Sequence, residues 1–448
     1  MAGGQREPCC DCGVAPKFAE VAEVLPLVVH PQRRLLNRKW HTAALVALAG
    51  AGLGAGGAAR AVGPAASGLI ATADTAETAG NNPAGLIRLQ NPEWVAEVVA
   101  FASSSTDDIS ASTGGSRSVT SSGSLAIPAV YYARPWNDRL TLGISLSVPA
   151  GIGSNPGDAT IGRYLLEKWT LGYLSLAPAA GYRLNDRLSL GIALELNYAS
   201  YEYESAVLNG PGQPDGTMRL KDNDFGVGFR FGVLYEATTT TRFGLAYSNS
   251  TTSHFSTTPE LSGLTPQRQG VLDATGVVTR AVSLESRFPQ ALLAGAYHQF
   301  NNGAFTTLDV AWVDFSEFGL TQASVGNTAI TTSNARYNDI WAGSAGLGWP
   351  VADAWTAKIG VAYATSGIND ANRTYALRLD RIWGIGAGAT YRWTKEKTVE
   401  VNLSYYDLGS APVSVGIGGI GSLSAAYSTN YAVGLNVSLR WQRLNGAW

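Results

Sequence analysis

Three cysteines, Cys9, Cys10 and Cys12, stand together near the start of the chain and occur nowhere else. A structural zinc site takes four thiolate or imidazole ligands, usually as two spaced pairs. No second pair follows, and the four histidines are scattered, so neither a metal nor another cofactor is expected. A disulfide framework is excluded on the same count. Hydrolytic chemistry has no signature either, with no Gly-x-Ser-x-Gly and no phosphate loop, and no catalytic residue is assigned. What stands out instead is a set of single charges inside apolar runs: Glu195, Arg230, Asp309 and Lys358. Alternate side chains of a strand face opposite ways. Arg230 therefore opposes Phe229 and Phe231, and Lys358 opposes Ala357 and Ile359. Buried charges are normally paired, so the plain reading sets these cations against Glu195 and Asp309. The sharper reading gives Arg230 or Lys358 the carboxylate of a ligand, held by a charge-assisted hydrogen bond.

Both readings require strands that place those charges on an inner face. Tyr431, Val433, Leu435, Val437, Leu439 and Trp441 fall on one side of such a strand, and Ala432, Gly434, Asn436, Ser438 and Arg440 on the other. Leu188 to Tyr198 repeats the pattern, as do the stretches at 140–148, 225–235, 355–363, 383–393 and 399–405. Strand starts are expected near 94, 123, 139, 170, 186, 222, 241, 287, 304, 336, 355, 380, 397 and 430. That number is even, as in bacterial single-chain barrels, and short linkers alternate with long ones at 150–168, 252–285 and 409–429. Aromatics close the ends of the apolar face, at Trp383 and Trp393 or Trp355 and Tyr363. Ten residues at about 3.3 Å, tilted about 40°, rise roughly 25 Å, the height of a lipid-facing band. A β-sandwich also alternates, but it would put its bulk mid-strand rather than in girdles at the ends. The fold expected is therefore all-β, a closed antiparallel transmembrane β-barrel of about 14 strands.

Composition agrees. Charged residues are only 15%, against about 25% in ordinary soluble chains. Glycine numbers 52, and Trp and Tyr together number 31, being 12 and 19. A net charge of −2 excludes a nucleic-acid partner. Residues 33–61 read as a signal peptide: a basic start at Arg33, Arg34, Arg38 and Lys39, an Ala-Leu-Gly stretch, and Ala59-Arg60-Ala61 as cleavage site. Residues 1–32 read as the product of a start codon set too far upstream. The mature chain then divides into 62–93, a barrel at 94–441 and a tail at 442–448.

A lumen of this size needs filling. Residues 62–93 are small and polar and lack alternation, a pattern that suits a disordered tail as well as a plug inside the barrel. Asn82, Pro83, Ala84 and Gly85 suit a compact turn, with Pro83 fixing its φ and Gly85 relaxing it. The run from Thr72 to Leu86 resembles the N-terminal hatch of the FadL/TodX family, whose Asn-Pro-Ala-Gly element precedes the first strand. Ser147 to Gly151, Leu176 to Tyr182 and Asp380 to Trp383 resemble further stretches of that family, so the likeness spans roughly 67–441. Only the hatch run is specific. The resemblance implies a small hatch in the lumen and an outer-membrane transporter of hydrophobic small molecules, either long-chain fatty acids or aromatic hydrocarbons. It implies outer-membrane lipid and the barrel-assembly machinery as partners, and a monomer. The competing functions are an open general porin and an outer-membrane enzyme or adhesin.

Overall fold

The computed structural model describes residues 67–112, 116–156, 158, 160–276, 279–325, 328–330, 337–375, 377–417 and 421–443. Segments 1–32 and 33–61, with the cysteine trio and the stretch read as a signal peptide, lie outside the described residues. Fourteen antiparallel strands form a closed wall. They are β1 Glu93–Ala111, β2 Ser116–Asn137, β3 Leu140–Ser154, β4 Lys168–Arg183, β5 Leu188–Val207, β6 Gly216–Glu236 and β7 Thr241–Ser248. The second half is β8 Ala291–Gln299, β9 Phe305–Val313, β10 Ile340–Ala352, β11 Trp355–Ala364, β12 Ile382–Arg392, β13 Lys397–Asp407 and β14 Gly421–Gln442. Pairing of β1 with β14, from Glu93↔Gln442 to Ala111↔Leu423, closes the circle. Closure satisfies the backbone of both terminal strands, which hydrocarbon demands. Among the described residues no helix is long and apolar enough to cross a membrane.

Side-chain alternation decides which face is which. On β14, Leu435, Val437, Leu439 and Trp441 are exposed on the outside, while Ala432 and Ser438 are buried inside. On β5, Ile192 is 48% exposed and its neighbour Ala193 is 2% exposed. Two aromatic girdles border the apolar band. One holds Trp94, Tyr182, Trp355, Trp393 and Trp441, and the other Trp341, Tyr363, Trp383, Tyr405 and Tyr431. Rings meet along the girdles, Trp94 tilted against Tyr132 and Trp355 stacked on Tyr391, each with centroids 4.5 Å apart. Turns at 138–139, 184–187, 237–240, 300–304, 353–354 and 393–396 all lie at the end where β1 begins and β14 finishes. The long connections lie at the other end. They carry a four-stranded antiparallel sheet (Thr251–Thr257, Val282–Phe288, Gly319–Val325 and Thr328–Ile330), a helix at Pro266–Thr275, and a strand at Val413–Ile417 that pairs with β14.

Several strands run further outward than the sequence pattern reaches: β2 starts at Ser116 rather than 123, β6 at Gly216 rather than 222, and β14 at Gly421 rather than 430. These extensions stand above the band. Water bathes both faces there, so nothing selects alternation, and Ser116 to Ser124 is mostly serine.

Candidate functional site

Residues 67–92 fold back inside the wall. A short helix, Thr78–Asn81, leads into a 3-10 helix, Pro83–Arg88, and nearly every residue of both is buried. Asn82 organises the junction. Its Oδ1 accepts from Ala84 N at 3.3 Å, and its Nδ2 donates to Ile70 O at 2.9 Å and to Val233 O on β6 at 3.1 Å. One side chain thus caps the helix, closes the hatch on itself and ties it to the wall. Pro83 takes the first helical position, where its missing N–H costs nothing. Gly85 acts differently from expectation. It does not lie in the left-handed region, which the hatch reaches at Gly68 and Ala73. A Cβ on Gly85 would instead run into Thr78 Oγ1 and, at 2.5 Å, Ala73 Cβ, so close packing is what requires glycine there.

The wall beneath is correspondingly bare. A Cβ at Gly191 on β5 would overlap Ala84 N and Pro83 C, and one at Gly232 on β6 would overlap Asn82 Oδ1. Alanines 129, 133, 177, 179 and 193 continue this flat floor. Long side chains then grip the hatch backbone from the rim. Arg242 donates to Ala71 O at 3.1 Å and Thr72 O at 3.0 Å, Arg183 to Ile87 O at 3.1 Å, while Glu93 accepts from Ala76 N at 2.6 Å. Asp309 accepts from Gly68 N, and Arg88 pairs with Glu236. Burial, with Arg242 close by, pulls the Arg88 guanidinium down to about 10, which leaves it charged at neutral pH.

Above the hatch the lumen changes character. Tyr173, Tyr201, Leu220, Phe255, Phe288 and Phe315 are among a large apolar cluster built from strands and outer loops. At this level the wall is interrupted. Pairing between β2 and β3 runs only from Asn137↔Leu140 to Val130↔Leu146. Beyond it β2 pairs with β1 alone and β3 with β4 alone. Pro128 on β2 and Pro149 on β3 lack the N–H a ladder needs. The β3–β4 register also shifts between Ser147 and Ala150, a bulge that bends β3 away.

The singled-out charges occupy separate places. Arg230, 3% exposed, pairs with Glu195 at 2.6 Å and donates to Ser248 Oγ at 2.8 Å. Lys358 pairs with Glu400 at 2.5 Å rather than with Asp309. It lines a cavity of about 280 Å³ between the hatch and the wall of β1 and β9–β14, also bordered by Asn81, Glu97, Asn402 and Arg440. The sequence reading missed Glu400, the polar cavity and the seam. Two prolines inside strands otherwise made for ladders were the signal available for the seam.

A plugged, girdled, closed barrel of this kind defines an outer-membrane transport protein. The profile of the family described as outer membrane protein transport protein (OMPP1/FadL/TodX) matches residues 41–440. The chain belongs to this family, and it is an outer-membrane protein. It is 23% identical over 391 residues to the long-chain fatty acid transport protein of Escherichia coli K12, covering 79% of this chain and 87% of that one. Outer membrane protein P1 of Haemophilus influenzae is 23% identical over 313 residues, covering 62% and 65%. Among solved structures, a Pseudomonas aeruginosa FadL homologue superposes with a TM-score of 0.74 at 19% identity, covering 85% of this chain and 97% of that one. The Pseudomonas putida toluene transporter TodX gives 0.59 at 16% identity, covering 82% and 94%.

Proposed function

We propose that this barrel takes hydrophobic small molecules, long-chain fatty acids or monoaromatic hydrocarbons, into its apolar upper lumen and releases them sideways through the β2–β3 seam. One observation carries the reading: strand pairing stops at Val130↔Leu146 inside the membrane band. An unpaired strand edge facing hydrocarbon is costly, and this one lies level with the apolar chamber. The hatch and its polar surroundings block the straight path below. An acyl chain entering the chamber gains about 0.8 kcal/mol per buried CH₂, and membrane lipid offers it the same on leaving. The plug speaks against an open general porin. The family consists of transport proteins, and we read this chain as a transporter without enzymatic chemistry.

The test straightens β3. Deleting Val148 and replacing Pro149 and Pro128 by valine restores the ladder. Uptake of oleate and toluene by cells is then expected to fall to that of cells lacking the protein, while the barrel still folds. Undiminished uptake overturns the sideways route.

Arg230 and Lys358 already hold carboxylates, which supports recognition by apolar surface alone. Oleate uptake per folded barrel is expected to survive Arg230→Ala and Lys358→Ala. Loss of oleate uptake with toluene uptake retained would give the cation to the fatty-acid carboxylate. We also propose that the protein works as a monomer in outer-membrane lipid, since one chain closes the wall, and that the barrel-assembly machinery inserts it. Light scattering in detergent tests the monomer, and depletion of that machinery tests the insertion.

A further inference from the structure

The outer end of the seam holds a small cavity of about 20 Å³. Val119 and Ser121 of β2 border it on one side, and Ser154 and Pro156, where β3 ends, on the other. Among the described residues the two strands do not pair at this level. Ser121 stands opposite Ser105 of β1, and the adjoining Ser104 faces Tyr431 of the outer girdle. The cavity therefore lies just outside that girdle, in the gap where the sideways route opens.

An ion pair closes its inner side. Arg378, 7% exposed, lies on the connection between β11 and β12. Its Nη1 donates to Asp107 of β1, its Nε donates to Ala411 O at 3.2 Å, and its guanidinium sits 3.9 Å from the centroid of the Tyr427 ring. The pair is incomplete on both sides. Arg378 Nη2 and Asp107 Oδ1 are buried and have no hydrogen-bond partner among the described residues, and both side chains line the cavity. Polar atoms of charged groups are costly to bury unmet, so one free donor and one free acceptor at the same small space mark a place for a ligand atom.

Chemistry selects that atom. A hydroxyl meets both needs at once: its O–H donates to Asp107 Oδ1 and its oxygen accepts from Arg378 Nη2. A carboxylate only accepts, and it would bring a second negative charge beside Asp107. A pure hydrocarbon offers neither bond. The space admits one water-sized group, so the rest of the molecule must lie outside it, in the gap between β2 and β3. Buried Ile109 and half-buried Val119 line the same cavity, which suits an apolar body.

We propose that this cavity is a hydroxyl-reading subsite at the outer mouth of the seam, selecting phenols and other apolar alcohols, an inference that rests on the sideways route. Calorimetric titration of the purified full-length barrel with 4-butylphenol, butylbenzene and 4-butylbenzoate tests it, with heats from protein-free micelles subtracted. The phenol is expected to bind at least about tenfold more tightly than either of the others, since a site built around a hydroxyl rejects analogues without one. Ser121→Val puts two methyl groups into the cavity and leaves the ion pair intact, and it should bring the phenol down to the affinity of butylbenzene. Asp107→Asn keeps the shape but turns a donor towards the cavity, so it should weaken the phenol and strengthen the benzoate, an exchange that a merely structural role would not produce. Heat-shifted gel mobility reports that each variant is folded. Equal affinity of the parent for phenol and butylbenzene, meaning that the cavity holds water only, would overturn the proposal, as would a phenol preference that survives in folded Ser121→Val. Failure of the sideways route would show differently: the straightened β3 variant would take up butylbenzene like the parent, whatever the order of binding.

Discussion

Arg230 illustrates how one enclosed charge constrains its neighbours. With Arg230 removed, Glu195 keeps its burial and loses its counter-charge. Breaking one side of such a pair costs about 3–5 kcal/mol, whereas removing both sides is close to neutral. Arg230→Ala is therefore expected to lower the urea midpoint of barrel unfolding, followed by gel mobility, and Arg230→Ala with Glu195→Ala to recover most of it. A double variant as weak as the single would deny the pairing its role. Strand parity made the inward placement of both residues legible in the sequence, because each stands alone among apolar neighbours, but it did not choose Glu195 over Asp309 as the partner of Arg230. Lys358 with Glu400 was not legible: they sit two strands apart, and only the registers of β11 with β12 and β12 with β13 bring them to diagonal positions two residues out of level. Asn82 was legible as a turn residue but not as a tether, since its contact on Val233 lies 151 residues away. Asn82→Ala leaves three backbone groups without their partner, at about 1 kcal/mol or more for the hatch. Faster native-state protease cleavage near residue 82 is the expected readout, and unchanged cleavage would place the tether elsewhere.

At the level of elements, the hatch depends on what its floor lacks. Gly191 and Gly232 leave the backbone of Asn82 to Ala84 in direct contact with β5 and β6. Gly191→Val puts a branched side chain where the Pro83 carbonyl carbon lies, so the hatch must lift. Proteoliposomes holding this variant are expected to swell in isosmotic sugar, while those with the parent protein do not. No swelling by the folded variant would mean the hatch finds another seat. All fourteen strands were readable from alternation and aromatic ends, since the band has two chemically different faces. Their outer extensions were not, because water on both sides imposes no pattern. Gly191 stands in sequence only as one small residue on the inner face of its strand, and the partner packed on it reveals why a side chain is excluded.

Taken whole, the molecule divides its lumen, with an apolar chamber above the hatch and a cavity that carries charged and amide side chains beside it. If solutes leave through the wall, uptake should rank with partition into lipid rather than with size. Toluene and oleate are then expected to compete for uptake in cells, while acetate competes with neither. Effective competition by acetate would point to a watery exit. The tether between Gly68 and Asp309 has a consequence in time. Its partners stand 241 residues apart, and β9 is among the later strands made. The hatch leaves first from any machine that delivers the chain N-terminus first, yet its seat is complete only when most of the wall exists. Contacts so distant in sequence form slowly, so plugging belongs to the last stage of assembly, and a barrel caught half-built would be an unstoppered hole that the cell must keep rare or brief.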